Sequence, residues 1–328
     1  MTLPTATSRT YDNTRLSGYK TCPRSYLLRH VLNWTKDGTA APLVFGSAWH
    51  AGMDSMWTVG KQFNALELAE IAFDGFIKTW VKEGYEYPVP LEMQEVFGMR
   101  TPGVAKEMYF NYASQRAKML AETDVIAVEQ PFAVPIPGLA DRWYIGKLDK
   151  VVQWNQNKVI LEHKTTSDYR VDGGFNPAWA DQWYSSSQVK GYEFGGSLYF
   201  PGLDGVWVDG ALVHKKVHDK FKFIPISHPV PLLVEWLGDT KNWIQRVEND
   251  IEQYKAVGKL TNGTFPKNEE SCHGKYGSCP FLDICRHVAD PTQLDGPPAG
   301  YKESKWEPFS TLGLDKLTQQ VKENTSEV

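Results

Sequence analysis

Two carboxylates and an ammonium close two consecutive strand-like runs. Asp149 lies in Tyr144-Ile-Gly-Lys-Leu-Asp-Lys-Val-Val152, and Glu162 and Lys164 lie in Lys158-Val-Ile-Leu-Glu-His-Lys-Thr-Thr166. Side chains alternate along an extended chain, so Ile145, Lys147 and Asp149 share one side, as do Ile160, Glu162 and Lys164. Both sets can face one cleft. Hard divalent ions such as Mg²⁺ or Mn²⁺ take a few carboxylate oxygens plus water and phosphate, and Asp149 and Glu162 supply such oxygens. A lysine two residues on can steer or deprotonate a water, if metal and burial lower its pKa, or neutralise charge growing on a phosphorus centre. The chemistry this implies is phosphodiester hydrolysis. Taken alone, the trio reads more often as a hairpin with solvated charges, so other residues must decide.

The four cysteines form a second candidate site. Cys22 stands near the start, and Cys272, Cys279 and Cys285 fall within fourteen residues of a loop containing Gly274, Gly277 and Pro280. One distant cysteine with a C-terminal trio is not the paired-knuckle spacing of zinc ribbons. Four thiolates suit a [4Fe–4S] cluster. Zinc is the alternative, with His273 or His287 able to replace a thiolate. Disulfides are disfavoured, because Met1 to Thr10 shows no apolar leader and implies a reducing cytoplasm. A metal there would clasp the first helix to the C-terminal segment and contribute folding energy.

Five segments in order carry a resemblance. They are Leu16-Ser-Gly-Tyr-Lys-Thr-Cys-Pro-Arg-Ser-Tyr26, Gly46-Ser-Ala-Trp-His50, Gly146-Lys-Leu-Asp149, Glu162-His-Lys164 and Gln188-Val-Lys-Gly-Tyr192. With the cysteines they resemble the RecB-like exonuclease branch of the PD-(D/E)XK superfamily, including AddB-type and CRISPR-associated iron–sulfur nucleases, over Leu16 to Cys285. The closing Cys279-x(5)-Cys285 interval is similar to the family's, whereas six residues between Cys272 and Cys279 replace its usual two; the glycines there can loop out the excess.

The resemblance implies a stand-alone phage or bacterial exonuclease in the cytoplasm, acting on single-stranded DNA or DNA ends in recombination, repair or CRISPR-type processing, with a helicase or recombination partner. It implies His50, Asp149, Glu162 and the His163 carbonyl as metal ligands, Lys164 as the water-positioning residue, and Gln188 and Tyr192 as catalytic helpers. An imidazole ligand favours Mn²⁺ over Mg²⁺. By itself, a histidine closing the apolar run Pro42 to Trp49 is more often a packed core residue. Gln188 and Tyr192, four apart, share a helical face. The alternative from another class is a non-catalytic iron–sulfur or zinc subunit that binds DNA ends within a helicase–nuclease or adaptation complex.

The elements that must position these residues are legible as patterns. With 328 residues, 41% hydrophobic and a net charge of −4, the chain can bury a real core. It has no run of membrane-spanning length, and no global basic field for coating DNA, though a local groove needs only a few cations. Helical periodicity covers 14–31, with Pro23 placed to kink it beside Cys22, then 43–59, 65–82 and 103–121, and later 176–199 and 231–257. Strand-like runs cover 125–134, 143–154 and 158–165, and 205–217 with 221–226 reads as a hairpin. The order αβββαβ implies a restriction-endonuclease-like α/β core, a mixed sheet flanked by helices, with a helical insertion over about 52–123 and a cysteine-rich clasp. Residues 1–290 read as one domain and 291–328 as a tail that wraps the surface or is partly disordered. Glu129 is a candidate auxiliary carboxylate, and Trp49, Trp57, Trp179 and Trp183 are candidates for stacking on unpaired bases, or simply core.

Overall fold

The computed structural model describes residues 4–5, 8–38, 41–170, 172–274, 277–314 and 317. The elements run β1 (Arg9–Tyr11), α1 (Asn13–Thr21), α2 (Pro23–Tyr26), β2 (Trp34–Lys36), α3 (Ala41–Thr58), α4 (Ala65–Lys82), α5 (Leu91–Phe97), α6 (Pro102–Glu122), β3 (Asp124–Pro135), β4 (Arg142–Trp154) and β5 (Asn157–Thr166). They continue as α7 (Pro177–Asp181), α8 (Ser187–Tyr199), β6 (Gly205–Leu212), β7 (Phe221–Ile226), α9 (Val230–Val257), β8 (His273–Gly274), β9 (Gly277–Ser278), α10 (Leu282–His287), β10 (Tyr301–Glu303) and α11 (Pro308–Leu312). This is an α/β fold with a mixed sheet in the order β1-β4-β5-β6-β7, and β3 pairs with β4. Among the described residues no helix is long and apolar enough to cross a membrane.

The chain divides into two compact units, one of Met1–Gly38, Pro131–Gly146 and Val230–Val328, the other of Thr39–Gln130 and Lys147–Pro229. In the second, β4 runs antiparallel to β5, with Lys150 opposite Leu161. Strand β5 is parallel to β6, with Glu162 opposite Val208, and β6 is antiparallel to β7. One sheet face (Val152, Val159, Leu161, Ala211) joins a core built with α3, α4 and α6. Helix α4 starts at a capping box, in which Asn64 accepts from the Glu67 backbone while Glu67 accepts from the Asn64 backbone, and two orphan donors are satisfied. It buries Leu68, Ala72, Phe76 and Trp80, a stripe at helical spacing. Gly52 of α3 permits the close packing, since a Cβ there would lie 2.2 Å from the Tyr109 hydroxyl and 2.6 Å from the Ala72 carbonyl. The other sheet face carries α8, where Gly196 leaves room for Ile160.

In the first unit β1 pairs in parallel with the start of β4, and Tyr11, Arg9 and Arg142 all bond Glu248 of α9. Leu28, Trp34, Phe281 and Ile284 form a small core against which Cys279 and Cys285 pack.

Several sequence expectations are corrected. The helix foreseen over 14–31 breaks at Cys22, which is extended at φ −161°, because proline at 23 disfavours helical backbone in the residue before it; the chain restarts as α2 and a π turn over Leu27–Val31. The helix foreseen over 176–199 is three pieces: α7, a 3-10 segment Gln182–Ser185, and α8 capped by Ser186, whose side chain accepts from the Val189 N–H. Serines at 185–187 carried that signal, since hydroxyls compete with the helix for backbone groups. Strand β6 stops at Leu212 rather than 217. Beyond Asp290, where a tail wrapping the surface or partly disordered is expected, Pro291–Gln293 is a 3-10 turn and β10 pairs antiparallel with β2; 315–316 and 318–328 lie outside the described residues.

Candidate active site

Strands β4 and β5, the middle of α3 and the start of α8 bring the candidate residues together. The β4–β5 register ends at Lys150 and Leu161, one residue short of each carboxylate. There the His163 N–H donates to Asp149 Oδ2 at 2.9 Å, so a side chain takes the place of a ladder acceptor. The same oxygen lies 3.1 Å from His50 Nδ1, which α3 carries in from the helical side. Lys164 pairs with Glu162 Oε1. The Gln188 amide donates to that oxygen at 3.1 Å and to the Tyr192 hydroxyl at 3.0 Å. Gln188 and Tyr192 thus share a face, as their spacing foretold, and Gln188 holds Glu162.

The electrostatics follow from burial. Asp149 and Glu162 are 7% and 2% exposed. Burial would raise Asp149, but His50, Lys150 and Lys164 hold its carboxyl well below the usual range. Burial, then the charge on Asp149, pushes Glu162 up to about 7 against the pull of Lys164 and His50. The two carboxylates are thereby driven apart. Burial would lower His50, yet the ion pair with Asp149 lifts it. Lys164 is likewise raised: its burial is outweighed by Glu162 and Asp149. Its ammonium nitrogen lies over the Trp183 ring, 5.7 Å from the centroid.

A buried polar layer supports the strands from the helical side. His163 Nδ1 is 3.1 Å from Asp209 Oδ2, which also accepts from the Tyr112 hydroxyl at 2.5 Å; Trp57 donates to Tyr112 at 3.2 Å. Lys150, fully buried, pairs with Asp54 of α3. Sequence reasoning missed Asp209, Tyr112, Asp54 and Lys150. The available signal was a lone carboxylate inside the apolar run Val206-Trp-Val-Asp-Gly-Ala-Leu-Val213, since a buried charge needs a partner. Trp49, Trp57 and Trp179 are core residues, Trp49 stacking on Tyr109 at 4.4 Å, so they are closed to bases; Trp183 is half-buried. Glu129 pairs with Lys147. Both line a cleft of about 580 Å³ with His50, Asp54, Asp149 and Lys164.

Among the described residues no three His, Cys, Asp or Glu side chains are arranged to hold a metal ion. Here the would-be ligands are engaged by protein cations, His50 on Asp149 and Lys164 on Glu162. Glu162 Oε2 nevertheless is buried with no hydrogen-bond partner, a vacancy that costs free energy unless something electropositive fills it. That orphan, with an imidazole and a second carboxylate beside it, fits a divalent cation.

The cysteines are all free thiols of the first unit. Cys22 is buried at the break between α1 and α2, and Cys279 donates its N–H to the Cys272 carbonyl at 2.8 Å. Burial raises the Cys279 and Cys285 thiols, and the neighbouring Cys22 contributes to both shifts. Cys22 and Cys279 line one cavity of about 280 Å³. The tertiary fold thus brings Cys22 and Cys279 to the wall of one cavity, and among the described residues no three of the cysteines are arranged to hold a metal ion.

A family model described as the PD-(D/E)XK nuclease superfamily matches residues 13–286. No curated protein matches the chain. Among solved structures, a candidate exonuclease from Eubacterium rectale is similar at 13% identity and a TM-score of 0.45, covering 89% of this chain and 91% of that one.

Proposed function

We propose, from the premise that this chain belongs to the PD-(D/E)XK nuclease superfamily, that it is a divalent-metal-dependent DNA exonuclease of the RecB-like branch, acting on single strands or DNA ends. The observation that carries the reading is the orphaned, buried Glu162 Oε2 beside Asp149 on adjoining strands. Asp149, Glu162, His50 and the His163 carbonyl would hold Mn²⁺ or Mg²⁺. Such an ion supplies Lewis acidity and an acidified water.

The chain's own residues do the rest. Gln188 fixes the Glu162 carboxylate through Oε1, and the His163 N–H fixes Asp149. Glu162 and Asp149 raise the pKa of the Lys164 ammonium above its ordinary value. Its work is therefore to place positive charge where it grows in the transition state, a preorganised electrostatic contribution, and to orient the attacking water by donating to it. The four cysteines would hold a [4Fe–4S] cluster, or zinc, that closes the first unit; this part of the reading rests on their donor chemistry and proximity. AddB-like or CRISPR-associated kinship, a phage or bacterial origin, a helicase or recombination partner and a cytoplasmic site of action belong to the same reading.

The test is digestion of end-labelled single- and double-stranded DNA with Mn²⁺, with Mg²⁺ and with chelator. Progressive loss of label or length that requires metal and favours single strands supports the reading. Internal cuts alone would make it an endonuclease, and no metal-dependent cleavage of either substrate would overturn it.

A further inference from the structure

Glu129 is held at φ 51° inside strand β3. That is left-handed backbone, which is strained for a residue other than glycine and tends to occur where function demands it. The turn delivers its carboxylate onto the Lys147 ammonium at the cleft. Their side chains retain 41% and 29% exposure, and ion pairs this open contribute little to stability. Stability alone does not explain a strained backbone spent on such a pair.

Position offers the explanation. Lys147 precedes Asp149 by one two-residue strand repeat, about 6.7 Å, on the same face of β4, a step that one nucleotide of an extended strand spans. The cleft around it is crowded with carboxylates, Asp54, Glu129 and Asp149 among them. A polyphosphate chain entering there needs a cation outside the group that handles the scissile phosphate.

We propose that Lys147 binds the substrate phosphate next to the scissile one, and that Glu129 occupies that phosphate subsite in the free protein and is displaced by the strand. Glu129 is thus a stand-in anion, which makes weak or wrongly placed anions compete for entry. The inference rests on the nuclease reading of the site and deepens it. Lys147 is a binding residue, and its effect falls on KM.

Steady-state cleavage of an end-labelled single-stranded oligonucleotide across a salt series tests it, using the wild type, Lys147→Ala, Lys147→Arg and Glu129→Gln. Lys147→Ala should raise KM about tenfold with kcat little altered, and Lys147→Arg should restore KM. One lost phosphate contact should flatten the slope of log(kcat/KM) against log salt by about 0.7. Glu129→Gln should lower KM. An active wild type with KM unmoved by Lys147→Ala, a loss confined to kcat, or a raised KM in Glu129→Gln overturns this inference and leaves the nuclease reading intact. A wild type that cleaves nothing with either metal overturns the reading itself, and this inference with it. The circular dichroism melting curve of Glu129→Gln, compared with the wild type, separates a binding effect from loss of fold.

Discussion

His163 donates its backbone N–H to Asp149 Oδ2 at 2.9 Å, so the residue between Glu162 and Lys164 aims the carboxylate of the neighbouring strand. The two halves of the motif, thirteen residues apart, are thereby one rigid object. His163 is itself held by Asp209 through the opposite face of the sheet, which links the core under α6 to the placement of both carboxylates.

Removing either carboxylate should abolish metal-supported cleavage. Asp149→Ala and Glu162→Ala are each expected to lose about 10²-fold or more in rate, the scale of a lost preorganised electrostatic contact, with unchanged far-UV circular dichroism. Full activity in both variants, measured on end-labelled DNA, would place the chemistry elsewhere.

Gln188→Ala should cost about 10- to 100-fold in metal affinity or activity, the range for a residue that orients a metal ligand. Tyr192→Phe should cost less, because the Tyr192 hydroxyl accepts from Gln188, which in turn holds Glu162. Calorimetric Mn²⁺ titration of both variants distinguishes the two, and a larger loss in Tyr192→Phe would reverse the assigned order.

Asp209→Ala leaves His163 and the Tyr112 hydroxyl without their buried acceptor. An unmade buried hydrogen bond costs about 1–3 kcal/mol, so the urea midpoint should fall by an amount corresponding to that range. Unchanged stability would show that the pocket takes up water at no cost.

Acid should weaken the first unit through Glu248. Burial would raise its pKa, but hydrogen bonds from Arg142, Tyr11 and Arg9 carry it below the ordinary 4.5. A carboxylate lowered by folding contributes stability in full above its unfolded pKa and loses it as pH falls through the folded value. The contribution is thus present at pH 7 and fades below about pH 4.5. Unfolding midpoints of the wild type and Glu248→Gln should differ at pH 7 and converge toward pH 3; a constant gap would exclude this origin.

Cys22→Ser should remove iron or zinc from anaerobically prepared protein and lower its melting temperature before it touches catalysis, since a clasp of this kind contributes folding energy. Brown colour and about four iron per chain indicate the cluster, and a colourless zinc protein indicates the alternative. Four freely titratable thiols with no bound metal in the wild type would remove the second site.

Much of this was legible because it is local. Alternation along β4 and β5 put Asp149, Glu162 and Lys164 on one side, and 3.6-residue periodicity located α4 at Ala65–Lys82. Where hydroxyls compete with the helix, at Ser186, periodicity misled, whereas Pro23 marked the interruption beside Cys22. That the carboxylates around Lys164 outweigh its burial is likewise visible only in the geometry.

By itself, the sequence determined which chemical groups the chain carries, the strand pair that presents two carboxylates and a lysine, and the order of its motifs. These depend on neighbours a few residues apart. Only the tertiary structure decided that Gln188 grips Glu162, that Asp209 backs His163, that Glu129 turns onto Lys147, and that Cys22 shares a cavity with Cys279. Those contacts join residues far apart in sequence, and their energies come from burial and partner geometry that no local pattern encodes.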